Sequence, residues 1–214
     1  MTAFNFASNL SMLTGLLPLL AAGFNYKHLD KVLKLSAAFF LLSFLSDAIS
    51  WLLIFVFRIP NTMYVSHLYV DANILFFGVI YYFVYFDPIF KKIAIFLATI
   101  AFLIAVSSIF FAQSLREYPS IANTALSIMA VLLSLLYFYQ LFTRQEFIHI
   151  QKEGFFWINS GVIFYYSITI FMFMMYKQIL LAHQQDYYMI NYITNIIANL
   201  IFSAGLLCKP QKTT

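Results

Sequence analysis

One acidic residue, Asp47, lies in the interior of a long apolar stretch, residues 33–57. If that stretch is a helix, Asp47 is about ten residues, or ~15 Å, from its nearer end. Ser43 and Ser50, four residues before it and three after, share its helical face. An ionisable group inside a bilayer costs about 3 kcal/mol or more unless it is partnered, so such residues mark functional sites. We therefore predict that Asp47, with Ser50 beside it, binds a ligand, an ion or a proton.

A second polar pair, His67 and Asp71, lies in the next apolar stretch, residues 64–86. The two residues are four apart and therefore lie on one face of a helix. Asp71 is about seven residues, or ~10 Å, from the start of this stretch, a depth similar to that of Asp47 on an antiparallel neighbour. Two interpretations stay open: a structural hydrogen bond near the membrane surface, or a cavity shared with Asp47.

The last apolar stretch carries a polar residue at every fourth position: Asn191, Asn195, Asn199 and Ser203. This spacing predicts a continuous polar seam on one helical face. The seam could hold helices together, since polar side chains form interhelical hydrogen bonds in lipid. It could also line an interior pocket that opens to the extracytoplasmic side. Polar residues of other stretches could complete such a pocket: Asn73, Asn123, Ser127, Ser134, Asn159, Ser160, Tyr165, Tyr166, Ser167 and Thr169.

The composition indicates what positions these residues. Of 214 residues, 63% are hydrophobic, 20% aromatic and only 9% charged. Soluble domains carry about a quarter charged residues, so an ordinary water-soluble globule is excluded. The single cysteine, Cys208, also excludes a disulfide-stabilised scaffold. Most of the surface must face lipid.

Seven stretches have the roughly 20 apolar residues that a membrane-spanning helix needs. The runs are continuous rather than alternating, which argues against strands. We predict an all-α transmembrane bundle forming one domain, residues 1–208, and a short tail, residues 209–214. The predicted spans are 4–22, 33–57, 64–86, 93–112, 121–143, 155–176 and 187–208.

The basic residues predict the orientation. Seven crossings place nine of the 12 Lys and Arg residues on one side, namely Lys27, Lys31, Lys34, Lys91, Lys92, Arg144, Lys152, Lys209 and Lys212. The other side carries Arg58, Arg116 and Lys177. Because cytoplasmic loops are enriched in Lys and Arg, we predict an N-terminus outside and a C-terminus in the cytoplasm of a bacterial inner membrane. The net charge of +4 is then explained by the basic residues of the cytoplasmic loops, and no nucleic-acid partner is needed to explain it. The expected partner is the lipid bilayer.

The sequence lacks the residues that several known membrane-protein chemistries require. The last span carries no lysine that could hold retinal, and no Gly-x-Ser-x-Gly motif or Ser–Lys pair is present in the spans. A metal site from His67, Asp71 and either His183 or Asp186 has no diagnostic spacing. We predict no cofactor and no resident metal. A lipid-modifying enzyme is the least favoured function.

Short motifs resemble a family of uncharacterised seven-helix membrane proteins of Bacteroidota. The main one runs from Phe156 to Gly161 as Phe-Trp-Ile-Asn-Ser-Gly, followed by Tyr165 and Tyr166. Leu-Pro-Leu-Leu at 17–20, the acid Asp47, Asn61 followed by His-Leu-Tyr at 67–69, and Leu-Tyr-Phe-Tyr at 136–139 are also similar. The resemblance implies no established activity. It implies a protein like the membrane input portions of signalling systems.

Three functions follow from these residues. The favoured one is a receptor-like sensor or accessory subunit that binds a small polar ligand and signals through a membrane or cytoplasmic partner, because few residues follow Leu207. The alternatives are a small-solute or ion transporter or channel, and a structural subunit of a membrane complex. A solute pathway predicts a polar seam that continues to the cytoplasmic side, whereas a receptor pocket closes below about Asn199.

Overall fold

The structure is a computed structural model that describes residues 3–143, 150–181 and 186–208. Within these ranges seven helices are long and apolar enough to cross a membrane, and no strand is present. The all-α, seven-span prediction is therefore confirmed, and the chain is an integral membrane protein. The tail 209–214, His149 and His183 lie outside the described residues.

The first span is formed by two helices, α1 (Ala3–Thr14) and α2 (Leu16–Asn25), and ends in a short 3-10 turn, Tyr26–His28. The short helix α8 (Tyr176–Leu181) lies between the last two spans. The six other spans are α3 (Lys31–Phe55), α4 (Met63–Val84), α5 (Pro88–Phe111), α6 (Ser120–Thr143), α7 (Gly154–Met174) and α9 (Asp186–Leu207).

Two of the predicted bounds differ for identifiable reasons. The fourth span begins at Pro88 rather than at 93, because the Asp87 side chain accepts a hydrogen bond from the Ile89 amide at 2.7 Å and caps the helix. The first span is interrupted after Thr14. Pro18 has no N–H to donate to the Thr14 carbonyl, so the helical ladder fails at that point.

On α5, small residues face the interior of the bundle and large apolar residues face outward. The buried residues of α5 are Ala94, Ala101, Ala105 and Ser108, whereas Phe96 and Leu103 are exposed. Lipid is as apolar as leucine, so burying a large side chain gains little, while a small one lets helices approach closely. This inside-out distribution is typical of a membrane bundle.

Consecutive spans pack against each other, and the last returns to the first. Helix α9 packs along α7 and along both helices of the first span, which closes the bundle. Asn25 strengthens this closure, since its Nδ2 donates to the carbonyls of Leu206 and Cys208 at 2.9 Å each. Leu206 lies in the last turn of α9 and Cys208 follows the helix, so neither carbonyl has a partner within the helix.

Two glycines set the approach of α7 to α9. A Cβ atom added at Gly205 would lie 2.6 Å from the Gly154 carbonyl oxygen, and one added at Gly154 would lie 2.6 Å from the Gly205 carbonyl oxygen. Both distances are shorter than a van der Waals contact, and both involve backbone that cannot rotate away. The backbones of α7 and α9 are therefore in contact here.

We predict that Gly205→Ala lowers the free energy of unfolding by about 1–3 kcal/mol, because the added methyl group overpacks this contact. The matched control is Gly23→Ala, where nothing lies within 4 Å of the added methyl group. Alanine forms helices better than glycine, so the control should not lose stability. Unfolding of both variants in detergent micelles, titrated with dodecyl sulfate, measures the difference. Equal stability of the two variants would contradict the predicted contact.

Candidate functional site

A cavity of about 210 Å³ lies among α3, α4, α6, α7 and α9. Its lining combines polar and aromatic side chains, so water or a small polar molecule can be accommodated there. The polar lining residues are Ser43, Asp47, Asn73, Asn123, Asn195 and Asn199.

The cavity lies in the half of the bundle that carries loops 56–62 and 112–119. Along α3, Asp47 is about eight residues, or ~12 Å, from Phe55 at that end. Along α4, Asn73 is about ten residues, or ~15 Å, from Met63. In the predicted orientation this half faces the outside of the cell.

Three of the residues predicted to bind a ligand lie together on this cavity: Asp47, Asn195 and Asn199. Asp47 shares the inward face of α3 with Ser43, four residues earlier. Asp47 is also exposed. The candidate site is therefore centred on the acid Asp47 of α3 and the amides Asn195 and Asn199 of α9.

The other four predicted residues, Ser50, His67, Asp71 and Asn191, are not among those that line the cavity. Ser50, Asp71 and Asn191 are half-buried. Asp71 lies two positions from the lining residue Asn73, which places it ~160° around the helix. The structure therefore matches the depth expected for Asp71 but places it on a different side of α4 from the cavity.

His67 is buried and fixes a loop. Its Nε2 lies 3.1 Å from the backbone carbonyl oxygen of Glu117. Asn61 makes a second contact with the same loop, donating from Nδ2 to the Arg116 carbonyl at 2.8 Å. Tyr118 of this loop stacks on Tyr176, with ring centroids 4.2 Å apart. This geometry matches the structural interpretation of His67.

Two asparagines of the α9 seam, Asn195 and Asn199, both join helices and line the cavity. Asn195 donates from Nδ2 to Ser11 Oγ at 2.9 Å, and Asn199 donates to Thr14 Oγ1 at 3.3 Å. These bonds join α9 to α1, while the same two asparagines line the cavity. Asn191 takes part in neither, and its buried Oδ1 has no hydrogen-bond partner.

The most informative residue that sequence reasoning did not select is Tyr69. Its hydroxyl donates to Ser43 Oγ at 2.9 Å and so links α4 to α3 within the cavity lining. The α4 residues that line the cavity are Tyr69, Asn73 and Phe77, which are spaced four residues apart and therefore lie on one face of the helix. That spacing is a sequence signal that identifies this face.

Asn73 contributes an unusual group to the cavity. The residue is 1% exposed, and its Oδ1 has no hydrogen-bond partner. A buried acceptor left without a partner costs about 1–3 kcal/mol. This atom has almost no accessible surface, so the missing bond is a cost of packing α4 at the cavity wall.

Aromatic side chains close the far side of the cavity. The ring centroids of Phe39 and Phe77 are 5.1 Å apart, and those of Phe40 and Phe202 are 4.8 Å apart. These four rings form what we term the aromatic floor. A void of only about 10 Å³ lies beyond it, lined by Phe39, Phe40 and Phe77 together with mainly apolar side chains.

A hydrogen-bonded cluster lies farther from the cavity, past the aromatic floor. The Tyr81 hydroxyl donates to Asn159 Oδ1 at 2.5 Å and lies 2.7 Å from Ser134 Oγ. Asn159 Nδ2 completes the cluster by donating to the Ser134 carbonyl at 3.3 Å. Ser134 and Asn159, expected as pocket residues, instead join α4, α6 and α7 below the cavity.

We predict that Tyr81→Phe lowers the free energy of unfolding by about 1–3 kcal/mol, because it removes a buried hydroxyl from this cluster. The adjacent Tyr82 is exposed, and its ring contact with Lys91 is retained by phenylalanine. Tyr82→Phe should therefore change stability by less than about 0.5 kcal/mol. Detergent unfolding measures both variants, and a loss at Tyr82→Phe as large as at Tyr81→Phe would refute the assignment.

Comparison with known proteins adds no assignment to this site. No family model, no curated protein and no solved structure matches the chain. The cavity therefore has to be interpreted from its own residues.

Proposed function

We propose that this protein is a receptor-like membrane sensor or accessory subunit of a bacterial inner membrane, which binds a small polar molecule in the cavity and passes the bound state to a partner. The observation that carries the proposal is a polar cavity in one half of the bundle that ends at the aromatic floor. A pocket closed on one side is suited to binding and release from the other.

The aromatic floor also favours this function over a channel. Ions and polar solutes cross a membrane along polar groups that replace their hydration shell. Between the cavity and the opposite end of the bundle lie the rings of Phe39, Phe40, Phe77 and Phe202 and then the cluster around Tyr81. Neither offers a continuous polar route.

The wall that carries Asp47 is suited to relay a signal. All buried residues of α3, Leu33, Ser36, Phe39 and Phe40, lie in its first half. The second half carries Asp47 and no buried residue. Weakly packed elements move at low free-energy cost. A ligand that contacts Asp47 and the opposite wall would draw this half of α3 toward the bundle and change the surface offered to a partner.

Two serines on α3 test the one-sided cavity. Ser43 lines the cavity, whereas Ser36, seven residues earlier, lines the small void beyond the aromatic floor. In a Cys208→Ser background, which removes the single native cysteine, we expect Ser43→Cys to react with a water-soluble methanethiosulfonate and Ser36→Cys to stay unreactive. Mass spectrometry of protein in nanodiscs measures both reactions.

Comparable labelling of both cysteines would instead support a transport pathway through the bundle. An unreactive Ser43→Cys would contradict an accessible cavity and with it the receptor proposal. Applying the reagent to intact spheroplasts also tests the orientation, because reaction from the outside requires the cavity to open there.

Native membranes supply the second test. We expect the protein purified from them to retain a small molecule or a partner protein, identified by native mass spectrometry. Asn195→Leu, which alters the cavity wall, should lose the small molecule. Asn191→Leu, one turn earlier on α9 and outside the lining, is the control and should keep it. Retention of neither a small molecule nor a partner by the unmodified protein would contradict the proposed function.

A further inference from the structure

The described lining of the cavity carries one formal charge. Among the residues that the structure describes, Asp47 is the one acid of the lining, and no Lys, Arg or His lines the cavity. Within α3, Lys34 is about 13 residues from Asp47, or ~20 Å along the helix. The described part of the lining therefore supplies no countercharge for an ionised Asp47.

The asparagine amides of the lining can accept as well as donate hydrogen bonds. The amide nitrogens of Asn123, Asn195 and Asn199 each use one N–H, toward the Pro119 carbonyl, Ser11 and Thr14. A primary amide keeps a second N–H and its oxygen, so these side chains can adapt to a polar ligand. The one formal charge in the described lining is the carboxylate of Asp47, which suits a positively charged donor.

The remaining walls are aromatic. Eight of the 15 lining residues are Phe or Tyr, from Phe39 and Phe40 on α3 to Phe202 on α9. The face of an aromatic ring attracts a cation, and cages of such rings bind alkylammonium groups. A bare metal ion needs a shell of oxygen ligands, so ring faces would serve it poorly. The aromatic walls thus favour an organic cation with apolar substituents.

The volume limits the size of that cation. Pockets for drug-sized ligands usually measure about 300–1,000 Å³. The cavity measures about 210 Å³, so a compact molecule fits better than an extended one.

We propose that the cavity binds a small organic ammonium ion, with its charge toward the Asp47 carboxylate and its apolar groups against the phenylalanine and tyrosine rings. This inference rests on the proposed function, because it specifies the ligand of the same cavity. It adds the charge of the ligand and its chemical class.

A panel of defined compounds tests the inference on the full chain in nanodiscs by isothermal titration calorimetry. The cationic probes are ethylammonium, tetramethylammonium and choline, and the neutral probe is 3,3-dimethylbutan-1-ol, which has the shape of choline without its charge. We expect at least one cation to bind saturably. Choline should bind at least about tenfold more tightly than its neutral counterpart if it is the cation that fits.

Variants of Asp47 test whether its carboxylate binds the charge of the cation. Asp47→Asn should weaken binding of the best cation by at least about tenfold, whereas Asp47→Glu keeps the carboxylate and should bind within about tenfold of the unmodified protein. Asp71→Asn removes a similar acid outside the lining and should leave binding unchanged. Unfolding in detergent shows whether each variant is folded, and Asp47→Glu keeps the test informative if Asp47→Asn is unstable.

Three results would overturn the inference: binding of none of the cations, equal binding of a cation and its neutral counterpart, or equal weakening by Asp71→Asn and Asp47→Asn. Thiol labelling distinguishes this failure from failure of the proposed function. An accessible Ser43→Cys and an unreactive Ser36→Cys, together with a neutral or anionic molecule in the native preparation, would leave the receptor proposal intact and exclude the cation.

Discussion

The hydrocarbon interior of a membrane offers no water to satisfy a polar group, and this constraint decides where every polar side chain of the spans lies. Many hydroxyl groups bond a carbonyl of their own helix, as Thr99 does with Ile95 at 2.8 Å and Ser160 with Phe156 at 2.8 Å. Others bond a second helix, as in the cluster of Tyr81, Ser134 and Asn159. The cavity departs from this pattern, because its described lining contains the acid Asp47 and no basic residue. An acid left without a countercharge in this way is a group that a ligand can satisfy.

The two halves of the bundle are packed differently. In the half below the aromatic floor, Gly154 and Gly205 bring two backbones into contact, and the Tyr81 cluster joins three helices. In the cavity half, α3 contributes no buried residue beyond Phe40. A rigid base with one loosely packed wall allows binding to change local geometry without unfolding the bundle. The position of Asp47 on that wall connects the chemistry of the cavity to the part of the fold that can move.

The sequence predicts depth in the membrane better than direction around a helix. The number and order of the spans follow from apolar length, and the depths of Asp47 and Asp71 follow from the rise per residue. Direction is different, since two residues that are two positions apart point ~160° away from each other around the helix. Asn73 therefore lines the cavity while Asp71 does not, although both lie in one apolar stretch. Which face of α4 turns inward depends on packing against α3 and α5, and the weak amphipathicity of an apolar helix does not specify it. For α9 the repeated asparagines mark one face clearly, and Asn195 and Asn199 lie where that pattern predicts.

The asparagines of α9 show why fold and site cannot be separated in this protein. An amide has a donor and an acceptor on one rigid plane. Asn195 and Asn199 use their nitrogens to hold α1 at hydrogen-bonding distance, and this orients their planes with respect to the cavity. Their oxygens are positioned by the same bonds that stabilise the bundle. A serine could join the helices, but its freely rotating hydroxyl would not hold an acceptor in a fixed direction. The amide thus supplies helix association and a preorganised acceptor at once, at no further cost in conformational entropy.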